Sequence, residues 1–595
     1  MIFLKKEKIV FLNFFCVCLL FNSVSESASL AQTVRQISQP STPLPEDIIP
    51  PPQLFPPVQT PKPKPEPLPP PEQLLVPPSS APPSQRPAPE SVPEKITVKR
   101  FEVTGSSVFD QKQLDKILAP YTNKLLSFTE IFQVRAAITK LYVKKGYITS
   151  GALIPPQTIQ NGIVKIQIIE GSLEAIEVTG TRRLNPDYIR NRLPKSQPFN
   201  QKRLLEALQL LQLNPRIKNI QAELEAGSSL DTTVLNVRVQ EASTLSAQLL
   251  ADNGRSPSVG SSRRRIQLNE ANLLGLGDGL SVAYTNTNGS NGIDLGYSLP
   301  INSNNGTISF NYGFNNSNVI EKPFNALDII GNYRYYELAL RQPLLQTPNQ
   351  ELALGLSAAR TESDIYSDVL KNFGYPLPLL SPGADNNGNT RLSVINFSQE
   401  WTKSSSREVF AARSQFNLGI GAFDATVNNN APDSRFFSWL LQAQWVRQIA
   451  PDTLLLLRSN FQLADRPLVP IEQFGLGGIN SVRGYRQDAL LGDNGYFASS
   501  EIRLPIYRNS RQNLLLQLTP FVDFGTTWDR GKRNFNDSNR GKSDTLASIG
   551  LGLRFQLSDR LTARFDWGIP LIDIDTREKI WQEKGLYFSI NYNPF

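Results

Sequence analysis

The sequence predicts a transmembrane antiparallel β-barrel of about 16 strands, preceded by two small β-α-α-β-β domains of the α+β class. Three observations carry that expectation. A short apolar leader is followed by no second apolar run long enough for a membrane helix. A strand-end pentapeptide, Phe101-Glu102-Val103-Thr104-Gly105, returns as Ile176-Glu177-Val178-Thr179-Gly180 together with the pattern around it. From Ser243 to Phe595, apolar and polar residues alternate with a period of two between turns rich in Asn, Gly and Ser.

Residues 1–31 read as a secretory signal peptide: Lys5, Lys6 and Lys8 precede the apolar run Ile9 to Phe21, and small residues lead to Ala31. That run is too short to span a bilayer, which takes about 20 apolar residues. Both cysteines, Cys16 and Cys18, lie in it, so processing after Ala31 leaves no thiol. Residues 32–95 form a proline-rich, disordered spacer, since 22 of the 45 prolines fall between Pro40 and Pro93. Proline lacks an amide donor and fixes φ, which favours extended polyproline II and disfavours a long plug helix except around Gln32 to Ser38.

The charge balance, 61 Lys+Arg against 53 Asp+Glu, reads as a solvated surface, and no nucleic-acid partner is expected. The chain contains no histidine. This excludes a Ser-His-Asp triad, and with the cysteines in the leader it excludes a His or Cys metal site in the processed chain. No catalytic residue, metal ligand or cofactor is assigned, and no enzyme is expected. A surface enzyme is disfavoured by the absence of histidine, though paired carboxylates could act without it.

Residues 96–171 and 172–242 are the two repeated units. In the first, a strand ending at Gly105 leads to a helix over Asp110 to Ala119. Ser127-Phe128-Thr129-Glu130 is a capping box opening a second helix with the apolar stripe Ile131, Val134, Ile138 and Leu141, stopped at Gly146. Strands follow over Tyr147 to Ile154 and Ile163 to Ile169. In the second unit the spacing predicts a strand to Gly180, helices over Pro186 to Leu193 and Gln201 to Leu213, and strands carrying Ile220, Ala222, Leu224 and then Leu235, Val237, Val239.

Residues 243–595 are the barrel. In Thr307 to Phe314, residues Ile308, Phe310, Tyr312 and Phe314 share one face; Leu561, Ala563, Phe565, Trp567 and Ile569 share another, opposite Arg564 and Asp566. A face so rich in aromatics suits lipid, with the polar face turned to a wet lumen. Sixteen strands over roughly 350 residues leave about 22 each, a strand of roughly 10 plus its share of the connections. Long loops such as Asn372 to Asn389 and Arg530 to Ser543 are placed outside, and short turns such as Asn302 to Gly306 on the periplasmic side. The terminal strand keeps Leu586, Phe588, Ile590 and Tyr592 in register, with Asn593-Pro594-Phe595 as an assembly tail. Deleting those three residues is expected to reduce assembly without changing the conductance of the barrels that form.

The repeated units, opening on a hydrophobic-Glu-Val-Thr-Gly strand end, resemble polypeptide-transport-associated (POTRA) domains. Val482-Arg483-Gly484-Tyr485 resembles the signature of the loop that folds into the lumen of polypeptide-transporting outer-membrane barrels. Phe521-Val522-Asp523-Phe524-Gly525 resembles that superfamily's inner-wall strand. Asp252-Asn253-Gly254 and Asn272 to Asp278 look like an early barrel signature of the two-partner secretion transporters, the ShlB/FhaC/HecB haemolysin secretion and activation proteins. The resemblance covers about Ile96 to Phe595.

It implies that Asp523, flanked by Phe521 and Gly525, receives Arg483, with Gly484 and Tyr485 shaping the loop tip. A guanidinium in a narrow lumen calls for a carboxylate that accepts its planar fork. The resemblance also implies a Gram-negative-type outer-membrane exporter whose POTRA units hold an unfolded exoprotein, TpsA-like, by its N-terminal secretion region. A sheet edge is the expected docking place, the candidate being Ile148, Thr149, Ser150, Gly151, Ala152, Leu153 and Ile154. Outer-membrane lipid, periplasmic chaperones and the barrel-assembly machinery complete the implied partners. An outer-membrane insertase of the same superfamily and a passive channel are the alternatives.

Overall fold

The computed structural model describes residues 75–76, 95–229, 231–322, 324–372, 381–530, 544–574 and 580–595. The expected signal peptide, the spacer other than Leu75–Val76 and Lys95, and parts of the two long loops lie outside the described residues.

The first POTRA-like unit contains β2 (Ile96–Val98), β3 (Arg100–Thr104), α1 (Gln111–Leu118), β4 (Lys124–Leu126), α2 (Phe128–Lys144), β5 (Gly151–Leu153) and β6 (Ile163–Ile169). The expected opening strand is split at Lys99: β2 pairs with β4, while β3 runs parallel to β6. Helix α1 starts on an Asp110/Gln113 capping box and α2 on the expected Ser127/Glu130 box. The buried stripe of α2 is Ile131, Val134, Ile138 and Tyr142. Tyr142 thus takes the core position expected for Leu141, which is only partly buried, because its hydroxyl reaches Ser106 and Glu170. The strand expected from Tyr147 shortens to Gly151–Leu153, since the Ser150 N–H donates to the Tyr147 carbonyl in a turn and buried Ser150 Oγ accepts from Gly171 N–H.

The second unit contains β7 (Ser172–Thr179), α3 (Pro186–Arg190), α4 (Gln201–Gln212), β8 (Ile217–Ala226) and β9 (Thr232–Glu241). Its α3 stops three residues earlier than the spacing suggests. Asn200 caps α4 by accepting from Lys202 and Arg203 N–H. The alternating residues of β8 and β9 are buried against Leu204, Leu208 and Leu211 of α4. A strand from the spacer, β1 (Leu75–Val76), joins this sheet, giving the order β1-β8-β9-β7.

The barrel is closed by sixteen antiparallel strands running from Leu245–Asp252 to Leu586–Tyr592. Alternation sorts the side chains: Val522 and Phe524 are exposed on the outside, while Asp523 between them is buried. Leu551, Leu553, Phe565, Trp567 and Ile569 also face outward, as a lipid-facing band requires. Closure is uneven. The seam pairs the first and last strands only over Leu249–Asp252 against Ser589–Tyr592, whereas Ile330–Thr347 and Gln350–Tyr366 pair along nearly their whole lengths.

Candidate functional site

Strands Thr453–Ala464 and Asn494–Asn509 pair directly with each other in the wall. The chain between them, residues 465–493, therefore contributes nothing to the ladder. It contains a short hairpin, Phe474–Leu476 against Leu490–Gly492, whose apolar residues pack with Val482, Tyr485, Phe497 and Leu546. At its tip the predicted Val482, Arg483, Gly484 and Tyr485 come together with the predicted wall residues Phe521, Asp523 and Gly525.

Arg483 is wholly buried. Its Nε donates to Asp523 Oδ2 at 2.7 Å and Nη2 to Asp523 Oδ1 at 2.8 Å, the planar fork matched to a carboxylate. Its backbone N–H also donates to Asp523, at 3.2 Å, so the contact positions main chain as well as charge. Nη1 donates to Glu501 Oε2 at 2.8 Å, and the guanidinium lies 3.4 Å from the centre of the Phe521 ring. Ser499 Oγ donates to Asp523 at 2.6 Å. Glu501 in turn accepts from Arg503 and Arg564, and Arg564 pairs with Asp566.

The neighbouring residues hold the tip in place. Gly484, at φ +107°, brings its backbone against Gly568, two strands along the wall from Asp523, and its N–H donates to the Tyr587 hydroxyl at 3.0 Å. Tyr587 O–H donates to the Tyr485 carbonyl, and Tyr485 O–H reaches the Ala547 and Ile572 carbonyls. Gly525 leaves room for Leu476 and Val482.

Sequence reasoning missed several members of this network: Ser499, Glu501, Asp566 and Tyr587. The usable signal was charge at inward parity, because Ser499, Glu501 and Arg503 alternate on one strand. Two further anchors lie outside the motif. Arg486 makes a two-pronged pair with Glu321 at 2.9 Å on both arms and approaches Glu583 at 3.6 Å. Buried Gln582 accepts from Gln487 N–H and donates to the Asn253 and Arg255 carbonyls. Asn253 also exchanges hydrogen bonds with Leu586 and Phe588 across the short seam. The Asp252-Asn253-Gly254 motif thus ties the seam to the loop.

The other early motif faces the opposite rim. Asn185 N–H donates to the Gly275 carbonyl at 2.8 Å, Arg183 reaches the Asn272 carbonyl and Glu270, and Arg216 reaches the Ala271 carbonyl. A Cβ at Gly277 would lie 2.2 Å from the Tyr188 ring, so the turn can carry no side chain there. Arg192 stacks on Tyr188 at 3.6 Å and donates to Asn305 in the Asn302 to Gly306 turn. The second POTRA-like unit is therefore docked on this rim. A cleft of about 500 Å³ remains there, lined by Tyr188, Leu213 and Arg216 and by Asn305, Arg341 and Glu351.

Of the predicted docking edge, Gly151, Ala152 and Leu153 form β5 at the margin of the first sheet, while Ile148, Thr149 and Ser150 lie in the preceding turn and Ile154 follows the strand. The Ala152 N–H is taken by Thr139 Oγ1 at 3.0 Å.

Comparison with known proteins agrees with this geometry. The profile of the family described as haemolysin secretion/activation protein ShlB/FhaC/HecB matches residues 231–371 and 385–555. The chain belongs to that family. The family's own kind of POTRA domain, the ShlB type, matches residues 96–171. Among its relatives is the outer membrane transporter CdiB of Escherichia coli, 23% identical over 492 residues that cover 80% of this chain and 79% of CdiB. The heme/hemopexin transporter protein HuxB of Haemophilus influenzae is 24% identical over 485 residues, 77% of this chain and 81% of HuxB. The solved structure of CdiB from Escherichia coli superposes with a TM-score of 0.63 at 20% identity, covering 86% of this chain and 92% of CdiB.

Proposed function

We propose that the chain is the outer-membrane translocator of a two-partner secretion system, with residues 96–171 and 172–242 as periplasmic POTRA domains and 243–595 as the barrel. The POTRA domains bind an unfolded exoprotein through its N-terminal secretion region, and the barrel passes it outward in extended form. The observation that carries this reading is the loop 465–493, which lies inside the barrel without belonging to its wall and is held by Arg483 on Asp523 and Glu501. A plug that is not part of the ladder can move while the barrel stays closed. The family's transport role and the second unit docked at one rim support the same reading.

The cargo class is a haemolysin- or adhesin-type exoprotein. Outer-membrane lipid surrounds the barrel, and periplasmic chaperones and the barrel-assembly machinery act before it is in place. The first test is quantitative mass spectrometry of medium, cell surface and outer membrane from the native host with and without the gene. Loss of one or a few very large exoproteins is expected, with resident barrels unchanged. A broad fall in outer-membrane barrels would instead mean an insertase, and an unchanged proteome a small-solute channel.

Arg483→Ala tests the loop. It leaves Asp523 as a buried carboxylate without its guanidinium partner and takes from Glu501 one of its three arginine contacts, a cost of about 3–5 kcal/mol that falls on the loop's seat. Export should drop at least tenfold while the barrel keeps its heat-modifiable mobility on gels. A variant missing from the outer membrane would make the loop architectural.

A further inference from the structure

The second POTRA unit has an edge strand that its own spacer covers. Without β1, β8 would be the edge of its sheet, its backbone beyond Ile220 open as a template for an extended chain. Strand β1 lies on it in parallel, Leu75 opposite Ala222 and Val76 opposite Glu223. Just upstream, the Gln212 side chain accepts from Ile220 N–H and donates to the Lys218 carbonyl, each at 3.0 Å, so it occupies strand positions as a peptide would.

The sequence limits how firmly the spacer can hold. Glu72-Gln73-Leu74-Leu75-Val76 is bounded by Pro71 on one side and Pro77-Pro78 on the other. Proline cannot donate to a ladder, so pairing must stop at both ends. A contact this short persists because the spacer is tethered to the same chain, at high effective concentration. The margin of the first unit is a poorer platform, being three residues long with Ala152 N–H already engaged.

We propose that Leu75–Val76 is a built-in competitor at the β8 edge, and that the exported chain enters by displacing it with an extended strand of its own. This rests on the secretion reading. It adds a resting state, in which the docking edge is shielded from other unfolded chains in the same compartment, and a reason for an apolar interruption in a proline-rich spacer.

The test uses the full-length protein in its own outer membrane. The only cysteines of the sequence are Cys16 and Cys18, in the leader, so Val76→Cys with Glu223→Cys reports one pairing. Neighbouring strands lie about 4.8 Å apart, within disulfide reach. Glu223 is exposed, and the two single-cysteine variants serve as folding controls. The readouts are the cross-link on non-reducing gels and the amount, in the medium, of the exoprotein that the gene deletion removes. We expect the cross-link to form, export to fall at least tenfold in its presence, and reduction to restore it. Absence of the cross-link would overturn the resting state, and undiminished export from cross-linked protein would overturn the entry route. If the deletion removes no exoprotein at all, the secretion reading fails, and the cross-link still reports on the spacer.

Discussion

In the first POTRA unit, the loop after Gly105 points the N–H groups of Ser107 and Val108 at the Glu170 carboxylate, with contacts of 2.8 and 3.2 Å. In the second, the loop after Gly180 points those of Arg182, Arg183 and Leu184 at Glu241, at 2.7, 3.1 and 2.9 Å. Both glycines have positive φ, and a Cβ there would lie 2.6 Å from the Ile168 carbonyl oxygen and 2.3 Å from that of Val239. One device serves both copies: a glycine lets the loop cross the last strand, and a glutamate two residues further along that strand collects its donors. The difference lies in the loop's side chains. Serines keep the first loop within its own unit, whereas Arg183 extends from the second to the barrel rim. A repeat that folds by one rule carries a loop that stays within its unit in the first copy and one that becomes a joint to the barrel in the second, by changing the residues the rule leaves exposed.

The largest effect should come from breaking the shared device. Gly105→Val and Gly180→Val each add a strained backbone and a clash with main chain, about 3 kcal/mol or more, and should unfold their own unit. Limited proteolysis of the full chain in membranes reads this as new cleavage confined to the altered unit. Cleavage appearing in both units after either change would mean that they do not fold separately.

Gly277→Leu breaks only the joint. It should leave both units protected while widening the distance between spin labels on α4 and on the Asn302 to Gly306 turn, and export should fall about tenfold. An unchanged distance would show that Arg183, Arg192 and Arg216 suffice to hold the unit. No counterpart of this substitution exists in the first unit, which is what makes it a probe of the difference.

The smallest effects separate the two glutamates. Glu170→Gln and Glu241→Gln each weaken charge-assisted hydrogen bonds, about 1–3 kcal/mol. Burial by itself would raise the Glu170 carboxyl, but hydrogen bonds from Ser107, Tyr142 and Val108 outweigh it and hold the group below the ordinary carboxylate range. Its stabilising contribution is therefore complete above the unfolded value, about 4.3, and is lost as pH falls through the lower folded value. Hydrogen exchange at Ser107 and Val108 should rise on acidification below about pH 4, and Glu170→Gln should flatten that dependence. A loop equally protected at pH 6 and pH 3 would remove Glu170 from the account.

Much of this was legible in the order of residues. The repeat showed because the same loop crossing demands the same Thr-Gly strand end twice. The barrel showed because a wall between lipid and water must alternate, and Arg483 with Asp523 showed through the motifs around them. Other features resisted. Tyr142 rather than Leu141 enters the first core because a hydroxyl partner, Glu170, waits across the unit, and nothing in helical periodicity distinguishes neighbouring positions so finely. Glu501, Asp566 and Tyr587 could be placed inward by parity, but parity does not say which of many inward residues meets the loop.

The sequence by itself determined the local and periodic features: two repeated units, sixteen strands' worth of alternation, and the pair of motifs whose chemistry requires a charge partner. These depend on neighbours along the chain, where propensity, capping and period operate. Only the tertiary structure decided that Asn253 and Gln582 join the seam to the loop, that Gly277 seats Tyr188, and that Leu75–Val76 covers β8. Each joins segments far apart in sequence through a few backbone groups or one close approach, and such contacts leave no period or composition to read. They exist only when barrel closure and unit folding have brought the surfaces together.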